Sequence, residues 1–200
     1  MIPQILVAAT TILAATGTAR GQPVPAGHPF VVPQRDVDVL YAVPVQGPSP
    51  AGQPQGQAAV AQRMRFSVAP TTRQRVDPPG PGTYMITDYA AGRMIVVQPA
   101  QHLATSLPAP GSPIAPHGVR ATGDYKRLGV QAIAGAACTD WQTTDQSGNT
   151  SIVCLTEDGV LLRAMQAGQI MLQAVQLAYA PQPASVFAVP DGYTLRVAPP

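Results

Sequence analysis

Cys138 and Cys154 are the only two thiols in this chain of 200 residues. A pair of thiols can form a disulfide, a redox couple or half of a metal site. The pair is not Cys-x-x-Cys, and no histidine accompanies it at zinc spacing. The disulfide is therefore the expected chemistry, and closing a loop of this length stabilises by roughly 3 kcal/mol in the chain-entropy model. The three histidines, His28, His102 and His117, share no helical face and no short spacing, and read as solvated loop residues. No Gly-x-Ser-x-Gly element is present. Asp36 and Asp38 sit two apart on a strand pattern, and Glu157 and Asp158 sit at a turn, so strand-edge and turn roles account for them. The chain is read as non-enzymatic, with no cofactor and no metal.

Two groups remain that could bind rather than react. Arg63, Arg65, Arg73 and Arg75 alternate along two extended segments, and each pair projects from one sheet face. They could meet an anionic group such as a phosphate head, or serve as a solvated outer face and edge protection. Met64, Phe66, Met85 and Met94 lie on candidate strands, and the adaptable methionine side chain suits an apolar groove as well as a core. Trp141, the one tryptophan, lies between the cysteines. It is expected to pack on the disulfide or the core, with ligand stacking as the alternative. These four residues and Trp141 form the candidate apolar ligand face.

The elements that must hold these groups read as β-strands. Val37, Val39 and Tyr41 alternate with Asp36, Asp38 and Leu40. Val60 to Val76 is a second β region. Thr83–Asp88 and Arg93–Gln98 flank Tyr89-Ala-Ala-Gly92 as a hairpin, and a further extended segment runs through Gln101 to Leu107. The cysteines occupy the two arms of another hairpin. Asp158-Gly159 reads as a two-residue type I′ turn pairing Leu155 with Leu162 and Val153 with Ala164. Gln169 to Tyr179 reads as a strand, although Ala, Leu, Met and Gln over Met165–Ala178 also suit a helix. Pro183 to Phe187 fits one helical turn, and Asp191-Gly192 a last turn before Tyr193 to Val197. The sum is an antiparallel meander.

Residues 1–21 read as a signal peptide, with an apolar core from Ile5 to Ala15 and cleavage near Ala19 or Gly21. Residues 22–34 read as a flexible lead-in. A single antiparallel β domain is expected over 35–198, with Pro-rich loops at 46–57 and 108–116. Roughly 180 residues after cleavage suit one domain, and no later segment is long and apolar enough for a transmembrane helix. Charged residues are only 11% and the formal net charge is +2, which is no nucleic-acid signature. An exported chain with a disulfide belongs in an oxidising compartment, periplasmic or secreted.

The run Cys138-Thr-Asp-Trp141, then Val153-Cys154-Leu-Thr and Asp158-Gly159-Val-Leu-Leu-Arg163, then Phe187-Ala-Val-Pro190-Asp-Gly192-Tyr193, resembles small secreted bacterial domains of unknown function. These are similar to the periplasmic lipoprotein carriers and receptors of the LolA/LolB-like fold. The resemblance implies a mainly β architecture: a curved antiparallel sheet forming an open half-barrel, with few short helices. It also implies a lipid or other apolar ligand in the concave face. An envelope protein partner without a small-molecule ligand is the alternative.

Overall fold

In the computed structural model, described for residues 27–45, 59–69, 72–80, 82–109, 117–145 and 147–198, alternation of apolar and polar side chains is clearest in the first strand. Val37, Val39 and Tyr41 are buried to one side of β1 (Val37–Pro44). A meander follows: β2 (Ala59–Ser67), β3 (Arg73–Asp77), β4 (Tyr84–Asp88), β5 (Arg93–Gln98) and β6 (Leu103–Pro108). A second meander comprises β7 (Tyr125–Ile133), β8 (Ala136–Thr144), β9 (Thr150–Leu155), β10 (Leu161–Gln166) and β11 (Gln169–Ala178), and β12 (Thr194–Val197) closes the order. All twelve strands join one sheet in the order β12-β6-β5-β4-β3-β2-β1-β11-β10-β9-β8-β7. The sheet is curved and open, as the sequence predicts for a mainly β fold. The signal segment, the lead-in over 22–26, the Pro-rich loop at 46–57 and most of the one at 108–116 lie outside the described residues.

Two single-turn 3-10 segments, Pro99–Gln101 and Ala184–Phe187, are the helical elements among the described residues. Met165–Ala178 is strand on both sides of the Ala167-Gly168 turn. The helix-favouring side chains there yield to cross-strand pairing with β1 and β9.

Three expectations need correction. The pairing is not wholly antiparallel, because β12 runs parallel to β6. The chain crosses from the middle of the sheet, after β11, to its far edge, and a crossover of that kind delivers a parallel strand. The Asp158-Gly159 loop is longer than a two-residue type I′ turn. Type I′ needs positive φ at both central residues, but Gly159 is at φ 84° while Asp158 is not in that region. Thr156 organises the loop instead: its carbonyl accepts from the Gly159 amide at 3.0 Å and its Oγ1 from the Val160 amide at 2.8 Å. Val153 pairs with Ala164, but Leu155 pairs with Leu161, and a bulge between Leu161 and Arg163 absorbs Leu162. Finally, residues 27–34 are docked rather than loose. Val32 is buried, the Ala121 amide donates to the Pro29 carbonyl at 2.8 Å, and the Gln34 amide donates to the Asp158 carbonyl at 2.9 Å.

The unbroken register from β1 to β6 shows that the sheet buries different faces at different places. Val37, Phe66, Gln74, Thr87, Met94 and Leu107 are successive partners and share a face. On that face Val37, Val39, Tyr41 and Phe66 enter the main core, with Val32, Cys138, Cys154, Val160, Leu162 and Ala174. Ile86 is the partner of Arg75 and so lies on the opposite face. There Tyr84, Ile86, Val97 and Ala104 pack against Phe187 of the second 3-10 turn as a separate core.

Candidate functional site

All four candidate arginines project to the face that carries the smaller core, because Arg63 pairs with Asp77 and Arg65 with Arg75 while Arg73 lies two residues before Arg75. Each is matched by a carboxylate of this chain. Arg63 bonds Asp38 through Nε at 2.8 Å. Arg65 and Arg75 both reach Asp77 at 2.7 Å, and Arg73 reaches Asp88 at 3.1 Å. Burial alone would raise the Asp77 carboxyl, but hydrogen bonds from Arg75 and Arg65 outweigh it and hold the carboxyl below its ordinary value. The Arg75 guanidinium also lies 3.5 Å from the centre of the Tyr84 ring and donates to the Val186 carbonyl at 3.2 Å. The row ties the 184–187 turn to the sheet.

Met64, Phe66, Met85 and Met94 share the other face. Met64 pairs with Val76, Val76 with Met85, and Met85 with Val96. Phe66 reaches Met94 through Gln74 and Thr87. Phe66 is buried in the main core, whereas Val76, Met85, Met94, Val96 and Leu107 are half-buried. Strands β4 and β5 are thus apolar on both sides, which is the pattern of strands covered on both faces. The 184–187 turn covers one side.

Trp141 does not belong with these four. It stands on β8, at the other end of the strand order, so the expected five-residue face is corrected to four. Its expected packing on the disulfide is corrected too. Asp140 pairs with Cys154, and Cys138 lies two residues earlier on the same face. Trp141 therefore points to the opposite side by strand alternation. Cys138 and Cys154 form a disulfide with Cα atoms 5.4 Å apart. Beside it, Arg163 donates to both Asp140 oxygens at 3.1 and 3.2 Å, and Gln131 donates to the same carboxylate.

The Trp141 side of β7–β9 forms the wall of a groove of about 700 Å³, roofed by residues 27–29. Trp141 pairs with Arg127 on β7 and with Val153 on β9. Tyr125, Val130, Thr139 and Leu155 line the same groove, with His28 and Arg120. His28 is half-buried rather than a solvated loop residue: its Nδ1 lies 3.0 Å from the Ala121 carbonyl and its ring 5.8 Å from that of Tyr125. The single tryptophan was the readable signal of this groove. Its partners were not readable, because a bulge between Arg127 and Gly129 shifts the register that brings Arg127 opposite Trp141. No group of three or more metal-ligating side chains occurs among the described residues.

No family model and no curated protein matches the chain. Its fold is similar to that of an uncharacterized conserved protein from Thermus thermophilus, at 10% identity and TM-score 0.56, over 82% of this chain and 91% of that one. It is also similar to MucB, at 13% identity and TM-score 0.51, over 83% of this chain. The chain spans 61% of the MucB structure. At these identities the likeness is one of fold alone. A LolA superfamily protein from Nitrosomonas europaea matches at 14% identity and TM-score 0.36, over 80% of this chain and 92% of that one.

Proposed function

We propose that the protein is an exported, non-catalytic binding protein of the bacterial envelope that holds a lipid or other apolar ligand against its sheet. The supporting observation is the face built by Val76, Met85, Met94 and Val96, which is apolar and half-buried behind strands whose other side is already packed. Binding there needs only the removal of apolar surface from water, about 25 cal/mol per Å², and flexible methionines let one surface fit chains of different shape. No bond is made or broken. The cysteine pair and the leader-like first 21 residues support the periplasm as the site of action.

The test is mass spectrometry of the protein purified gently from a periplasmic extract, comparing native with organic-extracted samples. A stoichiometric apolar adduct that Met85→Lys abolishes supports the reading. A bare polypeptide in the native spectrum overturns it. The edge strand β12 leaves Leu195 56% and Val197 67% exposed, which favours a second reading, a protein partner added to that edge. Crosslinking through a cysteine placed at Thr194 would capture such a partner, and its absence would dismiss this reading.

A further inference from the structure

We propose that the groove roofed by residues 27–29 is a second binding site, for a single-chain fatty acid with its carboxylate at Arg127 and Arg120. The groove differs from the methionine face in position and in charge. Trp141, Val130 and Leu155 give its wall apolar lining, and its volume of about 700 Å³ is in the range of small-molecule sites. Two guanidinium groups and one carboxylate, Glu157, line it, which leaves a positive excess.

The two cations are available in a way that the β2–β3 arginines are not. Those four are matched by Asp38, Asp77 and Asp88. Arg127 is exposed and has no carboxylate partner among the described residues. Arg120 is held in place without a carboxylate partner among the described residues: Nη1 donates to the His28 carbonyl at 2.6 Å, and the guanidinium lies 4.4 Å from the centre of the Phe30 ring. A guanidinium fork matches a carboxylate in two parallel hydrogen bonds. Trp141, directly across the strand pair from Arg127, offers an apolar plane beside that head.

Trp141 is the only tryptophan, so its fluorescence reports this groove and not the methionine face. The mature protein is titrated with laurate below its micellar concentration, with dodecyl maltoside as a neutral head on the same chain length, and with acetate as the head without a chain. Saturable change with laurate is expected. Binding should be weaker by more than about tenfold for dodecyl maltoside, because each lost charge-assisted contact of about 1.4 kcal/mol is tenfold, and absent for acetate. Arg127→Gln should bring laurate part of the way down to the level of dodecyl maltoside, because Arg120 remains, and Arg127→Lys should restore part of the difference. Val130→Glu, at a position 62% exposed, should abolish laurate binding without touching either arginine. Equal affinity for both chains, saturation by acetate, or indifference to Arg127→Gln overturns the proposal. Met85→Lys should leave this titration unchanged, so failure here is distinguishable from failure of the sheet-face reading.

Discussion

Gly159 lies so close under the N-terminal segment that a Cβ there would stand 2.5 Å from the Val32 carbonyl oxygen and 2.8 Å from the Phe30 Cβ. The same residue holds φ 84°, which a side chain disfavours. Gly159→Ala should therefore cost about 2 kcal/mol or more and release residues 27–34. The checks are a urea titration and limited proteolysis. A variant with an unchanged midpoint and no new cleavage near Phe30 would show that the close approach is unimportant.

Asp158 joins that segment to the body of the sheet. Burial alone would raise its carboxyl, but hydrogen bonds from Thr156, Arg35 and Tyr179 outweigh burial and lower it. A carboxyl whose folded pKa lies below its unfolded value, about 3.9, stabilises the fold fully above that value. The contribution is lost as pH falls through the folded pKa. Asp77 titrates in the same sense. The urea midpoint should be flat from neutral pH to about pH 5 and fall below about pH 4. Asp158→Asn should lower the midpoint at pH 7 and make the acid fall shallower, and an unchanged slope would remove Asp158 from the account.

The ion pair beside the disulfide is the more enclosed one, with side chains of Arg163 and Asp140 only 16% and 10% exposed. Removing one partner strands a buried charge, so Asp140→Ala should destabilise by about 3 kcal/mol. The double variant Asp140→Leu, Arg163→Met should recover much of that loss, because no charge is left unpaired. Additive losses in a double-mutant cycle would contradict the coupling.

Cys138 and Cys154 are separated by 16 positions. Replacing both by alanine should cost about 3 kcal/mol. Because both are buried, reductant should act slowly on the native protein and quickly in partly denaturing urea. Thiol labelling over time measures this, and equally fast labelling in both conditions would be the contrary result.

Met85 and Met94 are half-buried on the face opposite the Phe187 core. Met85→Gln with Met94→Gln should shift stability by less than about 1 kcal/mol while reducing any copurifying apolar adduct. A large loss of stability with the adduct retained would make these residues core filling, and the binding face would lie elsewhere.

Alternation in β1, the Tyr89–Gly92 hairpin, the cysteine arms and the terminal turn at Asp191-Gly192 were legible along the chain because each is local. A strand period, a turn residue and a pair of facing arms are decided within a few residues. Even the common face of Met64, Phe66, Met85 and Met94 followed from even spacing within strands, once the β2–β5 register proved free of bulges.

What the sequence by itself determined is therefore the mainly β class and most of the strands and turns. The tertiary structure alone decided which faces are buried, that β12 joins β6 in parallel, and that the four arginines meet carboxylates. It alone placed Trp141 opposite Arg127 and in one groove with His28. The physical reason is that bulges at Arg127/Gly129 and Leu161/Arg163 reset the two-residue alternation from which faces are read. The docking of 27–34 on Gly159 likewise joins residues more than a hundred positions apart, a contact that no local preference encodes.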